Sequence, residues 1–356
     1  MVVVFRLLTI FKEDVPMKKF LALILALVMA LSLVACGNTD TPDDSTGGET
    51  GEKTAENVKI VLLLPGEIND QGWNASNYAG VVACNEQLGT NMEYVEAVPE
   101  ADFESTFREY AERGYDIIMA AGSQFDVAAK TVAESYPDTL FMNVNGSDYS
   151  LPNLCPLFPK EYEASYLAAV IAGNITENGK FGLIGGDPNQ AMQDLMNVYG
   201  KTAVEIAKGR GIEDASFNLQ YSNSWDDVAL GKQMAEAMID DGADVMFSYA
   251  NSLSLGVIDG AAGKGAKVVG YSANQNEVAP GTVVASIDFD YATMYVWAIN
   301  EWLNGNLTGG QIVEVGVAED IYFPVYTDAC SDEVKAACDQ AVADLKEGSV
   351  DLKSLF

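Results

Sequence analysis

The pattern that most narrows the fold is a twice-repeated alternation of apolar, β-branched runs with amphipathic stretches. Val58-Lys59-Ile60-Val61-Leu62-Leu63-Leu64 is the first such run, and Pro65-Gly66 stops it. Near-continuous apolar strands belong to parallel sheets covered on both faces. An amphipathic segment follows over 74–88. Strands are predicted near 92–95, at 116–120 and at 139–144, with helices near 101–113 and 125–135 between them. After a short link the alternation restarts with a helix over 162–175 and a strand over 180–184 that Gly185-Gly186 ends. Helices near 189–208, 226–240 and 252–262 then alternate with strands at 215–220, 244–248 and 267–270.

Strict β/α alternation implies parallel sheets joined by right-handed crossovers. Two successive sets therefore predict an α/β protein with two Rossmann-like lobes. The first lobe is expected over 57–158, regaining chain at 283–309, where a strand over 282–287 and an aromatic helix from Tyr291 occur. The second is expected over 159–282 together with 310–356, including a helix near 332–346.

In such sheets a ligand lies beyond the carboxyl ends of the strands. The loop after the first strand holds Asn69, Asp70, Trp73 and Asn74, with Asn74 a candidate helix cap. A loop indole beside amides and a carboxylate suits stacking on a planar ring, although it can equally fold onto its own lobe. Trp225 lies in the loop 221–227 of the second set, at what reads as the matching position, with Ser224 or Asp226 as candidate cap. Two such indoles can sandwich a base. Gly122-Ser123-Gln124 and Ala250-Asn251-Ser252 follow the third strand of each set, where small residues let helix-start N–H groups approach a ligand. Asn143, Asn145, Glu163, Ser272, Asn274 and Asp288 are further polar groups at strand ends, each as well suited to capping or solvation as to ligand contact. A dinucleotide site is not expected, because no G-x-G-x-x-G follows the opening strand.

The remaining chemistry is limited by what the chain lacks. It contains no histidine, so Ser-His-Asp triads, Cys-His dyads and His-bearing zinc sites are excluded. No nucleophile–base constellation is visible, and neither a catalytic role, a cofactor nor a metal is expected. An acid–base enzyme using Asp70 or Glu163 is the weak rival reading. The five cysteines form no C-x-x-C pair; Cys330 and Cys338 are near enough in sequence to pair, but buried free thiols are the favoured expectation. The net charge is −32, and the first 35 residues run in the opposite sense through Arg6, Lys12, Lys18 and Lys19 against Glu13 and Asp14. So acidic a body repels phosphate backbones and anionic headgroups, which argues against nucleic acid and against peripheral membrane binding.

The amino terminus reads as an address label. Lys18-Lys19 precedes an apolar run over 20–34, too short for a comfortable membrane span, and Leu33-Val34-Ala35-Cys36 closes it. That ending resembles a bacterial lipobox, which makes residues 1–35 a signal peptide and Cys36 the lipidated residue; translation can start at Met17. Residues 36–57 are polar, unable to offset their ordering entropy by burial, and read as a tether. The expectation is an extracytoplasmic protein held to the cell membrane by lipid alone.

Several segments of the body, in order and spacing, resemble the basic membrane protein family of PnrA-like substrate-binding lipoproteins over roughly 58–345. They are Asn69-Asp70-Gln71-Gly72-Trp73-Asn74, Tyr136-Pro137-Asp138-Thr139-Leu140-Phe141, Glu163-Ala164-Ser165-Tyr166-Leu167-Ala168, Gly179-Lys180-Phe181-Gly182-Leu183-Ile184-Gly185-Gly186 and Asp241-Gly242-Ala243-Asp244-Val245-Met246-Phe247. The resemblance implies a type I periplasmic-binding-protein fold with several crossings between lobes and nucleosides or purine bases as ligands. It also implies an aromatic from each lobe on the base, at Trp73 and Trp225. Three positions depart from the family: Asn145 stands for an aspartate, Gly270-Tyr271-Ser272-Ala273-Asn274-Gln275 lacks two acids, and a lysine is replaced near Asp288. These departures bear on ribose recognition and leave a free base or another ring open. Asn145 still both donates and accepts.

The expected function is therefore solute capture for an ABC importer, with the chain acting as a monomer beside a membrane permease. A ligand-sensing receptor component, or a binder of another polar ligand such as a sugar, is the alternative.

Overall fold

A computed structural model describes residues 53–69 and 73–356 of the chain. The expectations for residues 1–52, Cys36 among them, and for Asp70 lie outside the described residues.

The strands are β1 (Ile60–Leu63), β2 (Glu93–Val95), β3 (Ile117–Ala121), β4 (Leu140–Val144), β5 (Leu157–Pro159), β6 (Lys180–Gly185), β7 (Ser216–Tyr221), β8 (Val245–Tyr249), β9 (Lys267–Ser272), β10 (Val283–Phe289), β11 (Val313–Val315) and β12 (Tyr322–Tyr326). They form two six-stranded sheets, ordered β11-β5-β4-β3-β1-β2 and β12-β10-β9-β8-β6-β7. The two orders are the same pattern used twice. Among the described residues every ladder is parallel except β10 with β12, where Ile287 faces Pro324 in an antiparallel pair. Two parallel-dominated sheets with helices alternating between their strands make this the expected α/β architecture.

Alternate residues of each central strand feed different cores. Ile60, Leu62 and Leu64 join one apolar cluster, while Val61 and Leu63 join a second on the opposite face. Each fully buried aliphatic side chain stabilises the fold by about 1.5–3 kcal/mol. The first of these clusters is continuous from the first sheet to Phe181, Leu183 and Phe247 of the second.

The helices are α1 (Trp73–Ala83), extended by a π-turn over Cys84–Leu88, α2 (Phe103–Glu112), α3 (Asp126–Ala133), α4 (Glu161–Ile175), α5 (Gln190–Gly209), α6 (Val228–Asp240), α7 (Leu253–Lys264), α8 (Tyr291–Leu303) and α9 (Asp332–Lys346). Two predicted caps are corrected. Asn74 lies inside α1 and its Oδ1 accepts from the Gly66 N–H at 3.1 Å, tying the helix back to the first loop. Asp227, not Ser224 or Asp226, caps α6 by accepting from Leu230 N at 3.0 Å.

The expected division of the late chain is corrected as well. The strand over 283–289, predicted with the first lobe, is β10 of the second sheet, between β9 and β12. The helix after it, α8, does return to pack on α1. Val313–Val315, predicted with the second lobe, pairs with β5 in the first sheet. β12 and α9 then stay with the second half, α9 packing on α4. Edge strands of three residues are decided by which sheet edge is open, and local sequence does not report that.

Cys84, Cys155, Cys330 and Cys338 are buried free thiols. Burial pushes the Cys84, Cys155 and Cys338 thiols up to about 12, so they stay protonated.

Candidate functional site

In each sheet the first central strand is flanked by the second and third strands, so the chain direction of the crossovers reverses there: between β1 and β3, and between β6 and β8. Such switch points open a crevice at the strands' carboxyl ends. An indole sits at each. Trp73 starts α1 immediately after the β1 loop, and its Nε1–H donates to the Ala121 carbonyl at the end of β3, 3.0 Å away. Trp225 lies against the end of β6: a Cβ on Gly186 would stand 2.9 Å from its ring, and its Nε1–H donates to Asp187 Oδ2 at 2.7 Å. Gly186 is therefore the floor for an indole. Both tryptophans are half-buried.

The matching position predicted for Trp225 needs correction. Trp73 follows a central strand, whereas Trp225 follows β7, the edge strand, and reaches back over β6. Among the described residues no ring contact joins the two indoles. A chain of rings runs between them instead: Trp73 edge-on to Tyr291 (5.7 Å between centroids), Tyr291 to Phe289 (6.4 Å), Phe289 to Tyr271 (5.1 Å), Tyr271 to Tyr249 (5.0 Å) and Tyr249 to Trp225 (6.2 Å). Tyr249 ends β8, Tyr271 is the penultimate residue of β9, Phe289 ends β10 and Tyr291 begins α8. The chain thus links the strand ends of the second half to the helices of the first.

The polar candidates gather in smaller groups. Asn145 follows β4, and Ser272 ends β9, the strand that holds the same place in the other sheet. Both have positive φ, 59° and 69°. Such backbone is uncommon for residues other than glycine and concentrates at functional sites. Ser272 is paired in register with Asp288, and the Ser272 hydroxyl is buried without a partner. Burial raises the Asp288 carboxyl above its ordinary value; the Phe289 N–H opposes that rise, Asp290 adds to it, and the Asn274 N–H opposes it. Ser272, Asn274 and Asp288 are one cluster. In the other half the Asn143 amide donates to Asp126 at 2.8 Å and its Oδ1 is buried without a partner. Asp126 also accepts from the N–H and hydroxyl of Ser147.

The remaining candidates are less engaged. Asn69, Ser123, Gln124, Asn251 and Asn274 are exposed and Ala250 is buried. Gln124 folds over Gly122, with its side chain filling the space where a Cβ would stand. Glu163 is a structural clamp: its carboxylate takes the Lys160 ammonium at 2.6 Å and the Val317 N–H at 2.8 Å.

Sequence reasoning missed the centre of the cluster. Glu161, in the first turn of α4, accepts from the Tyr249 hydroxyl at 2.9 Å, and its backbone carbonyl accepts from the Tyr271 hydroxyl at 2.7 Å. Burial pushes its carboxyl up to about 7, with the Tyr249 hydrogen bond working the other way. The only available signal was tyrosine at or next to the final position of β8 and β9.

The profile of the family described as "ABC transporter substrate-binding protein PnrA-like" matches residues 57–339. A Lactococcus lactis protein named "ABC transporter nucleoside-binding protein BmpA" is 27% identical, covering 68% of this chain and 68% of that protein. A Haloferax volcanii protein, TsgA13, whose name gives it a glucose-binding part in an ABC transporter, is 27% identical over 86% of this chain and 78% of its own length. Among solved structures, a transcriptional activator of the comK gene from Bacillus halodurans superposes with a TM-score of 0.70 at 20% identity, over 82% of this chain and 99% of that one. An ABC transporter solute-binding protein from Conexibacter woesei follows the same fold with a TM-score of 0.66 at 18% identity, over 84% and 99%.

Proposed function

The chain belongs to the PnrA-like family of ABC transporter substrate-binding proteins, and from that premise we propose that its two halves close over a purine base or nucleoside and present it to a membrane permease. The observation that carries this reading is the run of six rings between the halves, ended by an indole at each sheet's switch point. Flat aromatic surfaces bind planar rings by stacking, and hydroxyl, amide and carboxylate groups beside them select the ring's edge. On this reading Trp73 and Trp225 flank the ligand, Asn145 reads one edge, and Ser272, Asn274 and Asp288 read the other.

Closure needs only a ligand that binds the closed arrangement better than the open one. No bond-breaking group is required, and the protein works as a binder rather than an enzyme. Residues 1–35 serve as a signal peptide, and lipidation of Cys36 holds the body outside the cytoplasm on a polar tether. The name of the Haloferax volcanii relative keeps a sugar as the second ligand class.

A thermal-shift screen of the full chain against guanosine, adenosine, guanine, adenine and glucose tests the ligand class. Stabilisation by a base or nucleoside, confirmed by calorimetry, is the expected result. Stabilisation by glucose alone would replace the purine with a sugar.

A further inference from the structure

The two halves are joined by three crossings: Pro159 to Glu161, Phe289 to Tyr291, and Val315 to Tyr322. They run side by side and are hydrogen-bonded to one another. Lys160 N donates to Val315 O at 2.7 Å, Asp290 N to Ile321 O at 2.8 Å, and Val317 N to the Glu163 carboxylate at 2.8 Å. Glu161 stands at the end of the first crossing. Tyr249 from β8 holds its carboxylate and Tyr271 from β9 holds its carbonyl. Tyr291 from α8 and Tyr322 from β12 are close enough to feel its charge.

Nothing in this ring of tyrosines neutralises the acid. The adjacent Lys160 is committed to Glu163 at 2.6 Å, and among the described residues Glu161 has no lysine or arginine as ion-pair partner. The Tyr322 hydroxyl, in a side chain only 2% exposed, has no hydrogen-bond partner. One wall of the cluster comes from the first half: Tyr291 heads α8, which packs on α1, and Trp73 of α1 lies edge-on against it. Separating the halves withdraws that wall and lets water reach Glu161. Glu161 is half-buried in this structure, with the Tyr249 hydroxyl as the side-chain donor to its carboxylate, and drawing the halves closer removes the water that remains.

We propose that Glu161 is a positioning residue that couples closure of the two halves to the uptake of one proton from solvent. The proton adds to the Glu161 carboxylate as the tyrosines close round it and leaves when the halves part. The proposal rests on the reading that closure accompanies ligand binding, and it does not depend on which ligand is bound.

The sign follows from linkage. An acid whose carboxyl sits near 7 when enclosed and near 4.5 when hydrated favours the closed arrangement fully below about pH 4.5. That preference fades as the pH rises through 7 and is constant above it. Guanosine affinity of the full chain, measured by calorimetry, should fall by at most about tenfold per pH unit between about pH 5 and 7. Repeating the measurement near about pH 6 in buffers of different ionisation enthalpy should show a proton taken up on binding. Glu161→Gln, neutral at every pH, should lose most of that variation, the remainder being the raised Asp288 carboxyl's own.

Retention of the wild-type pH profile by Glu161→Gln, or binding without proton uptake, would overturn the proposal. Should guanosine fail to bind at any pH, the purine reading fails alone. The near-ultraviolet circular dichroism of the ligand-free chain then decides. A transition below neutral pH that Glu161→Gln abolishes supports the proposal, and identical titrations of the two proteins refute it. If Glu161→Gln does not fold, a protonated-carboxyl infrared band in the wild type that vanishes as the pH passes 7 stands in for it. Its absence near about pH 6, where ordinary carboxylates are ionised, refutes the proposal.

Discussion

Asn145 and Ser272 occupy equivalent strand ends, and both hold left-handed backbone with φ of 59° and 69°. Asparagine tolerates that region better than most residues, and glycine adopts it freely. Asn145→Gly should therefore leave thermal stability within about 0.5 kcal/mol while weakening ligand binding, and Asn145→Val should lose about 1–2 kcal/mol in denaturant unfolding. At Trp73 the expectation is a loss of binding without a loss of fold. The ring is half-buried and its N–H holds the Ala121 carbonyl, and on the proposed reading Trp73→Ala removes a stacking surface for the ligand. Calorimetry should show at least about tenfold weaker binding, since a stacked ring contributes about 1–3 kcal/mol. Both positions stand out in the sequence as candidates because loop indoles and strand-end amides contrast with small neighbours. Glu161 was not legible. A glutamate in the first turn of a helix ordinarily reads as a solvated partner of the helix dipole, and only the tertiary fold surrounds it with tyrosines.

Among the elements, α6 and α7 approach each other through backbone. Gly231 of α6 lies against the Leu253 carbonyl, and a Cβ at Gly256 of α7 would fall on the Val228 carbonyl. These glycines let two backbones touch beside the end of β8, which sets where Tyr249 and Ala250 stand. Gly256→Ala should destabilise the protein by about 1–3 kcal/mol in urea unfolding, because backbone cannot yield as a side-chain tip can. Most elements could be read from periodicity; the longer strands and the helices agree with the predicted spans to within a few residues. The exceptions are instructive. β5 and β11 are three residues each, Leu157-Phe158-Pro159 and Val313-Glu314-Val315, too short to display a period of two. Their pairing comes from a vacant sheet edge, as does the antiparallel return of β12.

For the molecule as a whole, two sheets of identical strand order explain why the alternation of sequence restarts near residue 160. The repeat was legible; the exchange of late segments between halves was not, because it depends on which edge each returning strand finds. The acidic balance also acts at this scale. With a net charge of −32, self-repulsion opposes the compact state, and raising salt from about 0.01 M to about 0.15 M should raise the thermal midpoint as screening shortens to about 8 Å. Replacing Cys36 with serine should move the protein from the membrane fraction to the soluble fraction, and persistent lipid labelling would contradict the anchor.

The strand β11 has a consequence for biosynthesis. The first sheet contains a strand drawn from residues 313–315, and the helix that covers α1 comes from 291–303. While the ribosome is still making the middle of the chain, the amino-terminal half lacks both an edge and part of its roof. Contacts between such distant segments form slowly, since the loop must be closed before the pairing rewards it. The nascent polypeptide is thus held back from its finished state until almost all of it has emerged.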